Sequence, residues 1–169
     1  MLFRSVSSDD LAKAISRVGS SAVDAGVSMD ELLAITTAVQ QRTARGGAVI
    51  GNAFKTIFTR IGRTDVQKKL ANIGVATRDM QGAMLPATKV LENLSEKFKD
   101  LSQNQQNQIA ESVAGVFQVN VLRAALGDLS SKYGIYSRAL RESASATDEA
   151  YKKNEQLNQT LSEIGRAHV

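Results

Sequence analysis

Pro86 is the only proline in 169 residues, and no cysteine accompanies it. A chain so free of proline, and unable to form disulfides or thiolate metal sites, is built from helices ended by glycine and started by side-chain caps. Those signals recur along its length. Ser28-Met29-Asp30-Glu31 is a capping box, Thr64-Asp65-Val66-Gln67 is read as a second, and Ser102-Gln103-Asn104-Gln105 opens a third helix with a polar first turn. Hydrophobic residues make up 43% and charged residues 22%, enough to build a buried core, while aromatics fall to 5%. The expected class is all-α, a compact multi-helix domain.

Hydrophobic periodicity places the helices. Ser8 is expected to cap a first helix with Leu11, Ala14, Ile15, Val18 and Ala22 on one face, ended by Gly26. The second runs from the Ser28 box to Gly46-Gly47, and the pair predicts a helical hairpin. Ile50, Ala53, Phe54, Ile57, Phe58 and Ile61 form the widest apolar stripe, on a third helix, with Lys55, Thr59, Arg60 and Arg63 opposite. A short fourth helix presents Val66, Leu70 and Ile73 up to Gly74. Residues 75–85 lack a helical period and predict a loop or small β-hairpin pairing Val75-Ala76 with Ala83-Met84.

Pro86 suits the first turn of the next helix, whose apolar side is Val90, Leu91, Leu94, Phe98 and Leu101. Residues 109–126 are apolar nearly all round, which places them mid-domain, with breaks expected at Gly115 and Gly127. Residues 113–126, the most apolar run, are too short and too polar to cross a bilayer, and the opening residues lack the apolar core of a signal peptide. Beyond Tyr133-Gly134 the stripe thins to Leu140, Ala144, Thr147 and Tyr151, then Ala150, Asn154, Leu157, Leu161 and Ile164 at heptad-like spacing. So narrow a stripe needs a partner helix, from this chain or a second copy. The organisation expected is a helical module over 1–145 and, over 146–169, the start of a coiled-coil-like helix belonging to something longer.

Chemistry is sparse. His168 is the single histidine, so a histidine base or a multi-histidine metal site lacks its residues. The acidic pairs Asp9-Asp10, Asp30-Glu31 and Asp148-Glu149 are neighbours that do not face one another on a helix, and they sit where helix N-termini favour acids. Glycines 46, 47 and 51 are not followed by the Gly-Lys-Ser/Thr of a phosphate loop. No catalytic, cofactor-binding or metal-ligating residue is expected, and the chain is read as a non-enzyme.

The charge is uneven. The chain carries +4 overall, yet eight basic residues within 32–78 (Arg42, Arg45, Lys55, Arg60, Arg63, Lys68, Lys69 and Arg78) face a single acid, Asp65. A polyanion or an acidic surface is a natural neighbour for that segment, with Lys55, Arg60, Arg63, Lys68 and Lys69 as contact candidates. The interleaving of basic and apolar positions equally describes a solvated helix face. A helical nucleic-acid-binding module using segment 42–78 is the alternative function, although aromatic platforms and a basic recognition helix are missing.

The order of these blocks resembles one family. Ala25-Gly26-Val27-Ser28-Met29-Asp30-Glu31-Leu32, the helix from Gly51 to an Arg60-Ile61 ending, Leu70 to Val75, the Gly82 to Pro86 turn, and Ile109 to Gly115 leading through Tyr136, Leu140 and Ser145 into a coiled coil are similar to the core region of bacteriophage tail tape measure proteins. The resemblance covers most of residues 10–160, departing near Ala146-Thr147-Asp148, where a glycine is expected. It implies a structural virion protein that sets tail length and takes part in tail assembly and DNA ejection. The implied partners are tail tube, tail tip or baseplate, and tail assembly chaperones, with unspecific DNA contact and self-association through the C-terminal helix. The implied location is the virion tail, and the bacterial host cytoplasm during assembly.

Overall fold

The computed structural model describes residues 7–167, with the side-chain surroundings of 147, 151 and 161–167 outside that description. Eight α-helices follow one another: α1 Ser8–Asp24, α2 Met29–Thr43, α3 Gly47–Ile61, α4 Thr64–Asn72, α5 Ala87–Phe98, α6 Gln103–Ala114, α7 Val119–Leu129 and α8 Ile135–Ala167, with a 3-10 turn at Val116–Gln118. The all-α expectation holds. A single core runs through every helix, from Val18 on α1 through Phe54 and Leu91 to Leu122 and Tyr136. Phe54 and Phe58 stack at its centre with ring centroids 5.5 Å apart.

Local caps explain most helix starts. Ser28 accepts from the Glu31 amide while the Glu31 carboxylate accepts from the Ser28 amide at 2.8 Å, and Ser102 and Gln105 repeat the exchange on α6. Glu31 then reaches across the core, accepting from the Thr88 hydroxyl of α5 at 3.1 Å. The first helix is capped by Ser7, one residue before the Ser8 expected, through a bond from the Asp10 amide. The box expected at residues 64–67 does not form. Arg63 occupies the cap without a side-chain bond, because Gln67 Nε2 donates instead to the Gly62 carbonyl at 2.9 Å.

Two further expectations change. The 75–85 segment pairs in another register: Arg78 bridges Met84, with Asp79 N donating to Ala83 O and Leu85 N to Thr77 O. Asp79 Oδ1 accepts from the Gln81 and Ala83 amides, both at 2.9 Å, and so fixes the tip of the turn. Val75 is drawn out of the pairing because its amide closes α4, bonding to Leu70 O. Gly127 does not break a helix but lies inside α7, and the chain turns only at residues 130–134.

The α1–α2 hairpin is present, yet α1 packs mainly against α3. Gly47 and Gly51 allow this approach: a Cβ at Gly51 would stand 2.6 Å from the Ala14 carbonyl oxygen, and one at Gly47 would overlap the Asp10 backbone. Small residues one helical turn apart let two backbones meet. The first turns of α8 lie on α2 and α7, so the partner that the thin stripe needs comes, for these turns, from the same chain. Ser143 Oγ donates to Asp30 Oδ1 at 2.7 Å. From Ala144 to Thr160 every described side chain is exposed, and the helix continues without interruption past residue 145. The C-terminal residues 168 and 169, including His168, lie outside the described residues, as do residues 1–6.

Candidate functional site

A groove of about 640 Å³ lies between α4 and α6, lined by Ile73, Ile109 and Val116 and flanked by Arg60, Asp65, Lys69 and Glu111. The end of α3 and the 3-10 turn close it. This groove gathers two of the five expected contact residues, Arg60 and Lys69, though most of their charge is directed at the protein itself. Arg60 Nε donates to the Ser112 carbonyl at 2.9 Å, and its Nη2 reaches the Glu111 carbonyl. Both are last-turn carbonyls of α6; the Glu111 oxygen also accepts from the Gly115 amide, while the guanidinium gives the Ser112 oxygen a donor from α3 and so acts as a cap. Lys69 Nζ donates to Ser112 Oγ at 3.0 Å, and Arg63 pairs with Asp65 at 3.1 Å.

The other basic residues follow the same rule. Arg42 bonds Asp128, and Arg78 bonds Gly82 O and Gln67 Oε1. Of the eight cations in the basic segment, only Arg45, Lys55 and Lys68 make no side-chain bond among the described residues, and they stand on the α2–α3 connection, α3 and α4. Folding thus turns Arg42, Arg60 and Lys69 into interhelical ties, while Arg63 bonds locally to Asp65. Spacing along one helix does not reveal those three ties, because their acceptors lie on other helices.

The 3-10 turn is the feature that sequence reading missed. Val116 and Phe117 fall within the apolar run 109–126 that is expected mid-domain. Instead Gly115, with φ of +72° and ψ of 163°, turns the chain outward, leaving Val116 71% and Phe117 92% exposed. A Cβ at Gly115 would approach the Arg60 guanidinium to 4.0 Å, so glycine is needed for its backbone angle more than for space. Among the described residues no cluster of three His, Cys, Asp or Glu side chains is arranged to hold a metal ion.

With this geometry in place, comparison with known families is decisive. A model of the family described as phage-related minor tail protein matches residues 4–115. The chain belongs to the phage-related minor tail protein family. No solved structure matches it. In this minor tail protein the matched span ends at Gly115, so both walls of the groove fall inside it while Phe117, α7 and α8 fall beyond. The family makes the chain a phage tail component, located in the virion tail and working among other tail proteins. No single described helix is long and apolar enough to cross a membrane. The α6 helix and the following segment to Leu129 have the composition only as a pair, and they are bent by 106° with their apolar faces in the core.

Proposed function

We propose that this minor tail protein is the folded core of a tape measure protein, a non-enzymatic ruler that sets tail length and accompanies DNA out of the particle. The observation that carries the reading is α8: a 33-residue helix whose first turns are clamped to a helical core and whose described remainder stands free of it. A helix advances by about 1.5 Å per residue, so such an extension converts residue number directly into length. The core is the anchoring end, contacting tail tube, tip or baseplate components, and tail assembly chaperones receive the protein in the host cytoplasm. The exposed part of α8 supports self-association with a second copy through Leu157 and the heptad positions beyond it. The unengaged cations Arg45, Lys55 and Lys68 are available for passing DNA.

The test is made in the phage that encodes the protein. Inserting roughly 28 residues of uninterrupted heptads after Asn154 should lengthen the tail by about 42 Å in electron micrographs. Tails of unchanged length that still contain the longer protein would refute the ruler.

A further inference from the structure

We infer that the α4–α6 groove, with the Val116-Phe117 turn at its end, is a two-fold interface between copies of this chain, separate from any association through α8. The inference goes beyond the ruler reading and stands or falls independently of it.

Three observations converge. First, the turn holds two large apolar side chains in water. Of the four phenylalanines within the described residues, Phe54, Phe58 and Phe98 are buried and Phe117 is 92% exposed. The positive φ of Gly115 holds that turn clear of the α6 stripe. Second, Val116 lines the same groove as the less exposed Ile73 and Ile109, so the apolar turn is continuous with an apolar floor. Exposed apolar surface beside an apolar concavity, ringed by polar groups, is the anatomy of an association site.

Third, the charge pattern selects the occupant. Arg60 and Asp65 are engaged within the chain. The exposed charges left on the rim are Lys69 on the α4 wall, whose only bond is to a neutral hydroxyl, and Glu111 on the α6 wall, whose carboxylate has no partner among the described residues. A uniformly acidic or basic peptide would leave one of them facing a like charge. A second copy, rotated so that its α6 faces this α4, sets Lys69 against Glu111 twice over and brings the two Phe117 turns together. One cation and one anion on opposite walls are what a self-complementary, isologous surface requires.

Sedimentation velocity on the full chain tests this, in a Leu157→Lys background that removes association through α8. The background protein should still dimerise with rising concentration. Phe117→Ser should weaken that dimer at least about tenfold, as removal of a central aromatic anchor does. Lys69→Glu alone and Glu111→Lys alone should each weaken it, and combining the two should restore it, which a merely structural role for either residue would not produce. Helicity should be unchanged in the Phe117→Ser variant, and so should the melting temperature at concentrations where the background protein is monomeric, because the ring of the monomer is in solvent. A Leu157→Lys protein that stays monomeric at all concentrations overturns the inference, and so does a charge-swapped double variant that dimerises no better than the singles.

Discussion

Arg42 Nε on α2 donates to Asp128 Oδ1 at the end of α7 at 2.9 Å, and the same carboxylate accepts from the amides of Ile135 and Tyr136. The Asp128 side chain is fully buried and Arg42 is 40% exposed. One carboxylate therefore caps α8, ties it to α2, and fixes the direction in which the long helix leaves the core. Gly134 makes room for it, since a Cβ there would stand 2.9 Å from Asp128 Oδ2. Asp128→Ala strands two helix N-terminal amides and a half-buried guanidinium, and should cost about 2–4 kcal/mol in urea denaturation. Asp128→Asn, which keeps an acceptor, should cost less.

Close packing of α1 on α3 yields a contrast among glycines. Gly51→Ala pushes a methyl group toward the Ala14 carbonyl and Arg17 Cβ and should destabilise by about 1–3 kcal/mol or more. Gly19→Ala and Gly127→Ala, also inside helices but with nothing within 4 Å of the new Cβ, should stabilise by about 0.5–1 kcal/mol each. Thermal melts of the three variants should fall on opposite sides of the parent protein.

The same contrast shows what could be read from the sequence. The all-helical class was legible, as were the Ser28 and Ser102 boxes, because a cap is settled by residues three apart. Gly46-Gly47 was legible as a helix end, but the purpose of the Gly47 and Gly51 spacing was not, since it depends on Ala14, a residue 37 positions from Gly51 in the chain. Arg60 looked like a surface cation for the same reason: its acceptors are the carbonyls of Glu111 and Ser112. Thr64 and Gly127 show the reverse error, a local signal outvoted by tertiary contacts. The outward turn at Gly115 had a trace in the sequence, a glycine between apolar residues, but a stripe of apolar positions does not announce where it leaves the core.

Arg60 and Lys68 should separate structure from surface charge. Arg60→Ala removes the donors to two α6 carbonyls and should cost about 1–2 kcal/mol by denaturant titration. Lys68→Ala, exposed and making no bond among the described residues, should stay within about 0.5 kcal/mol. Equal losses for the two would remove the capping role of Arg60.

Thr36 is fully buried on α2 and its hydroxyl finds no hydrogen-bond partner among the described residues. Thr36→Val replaces that hydroxyl with a methyl group of similar size and should stabilise the protein by about 1 kcal/mol. Destabilisation in urea titration would mean that the hydroxyl has a bound partner, such as a water molecule.

Acid sensitivity should trace in part to the start of α1. The Gly47 amide, 3.2 Å from Asp10 Oδ1, and then the Ser7 hydroxyl hold the Asp10 carboxyl below its ordinary value of 3.8, against opposing desolvation. A folded-state value lower than the unfolded one means that the ionised group favours folding. That stability is present above the ordinary carboxylate value and is lost as the pH falls from there through the lowered value. Asp10→Asn keeps an acceptor but cannot ionise. It should melt below the parent protein at pH 6, and the gap should narrow as the pH falls through the lowered carboxyl value, below which both side chains are neutral. A gap that stays constant across this range would show that the Asp10 charge does not contribute to holding α1 against the first turn of α3.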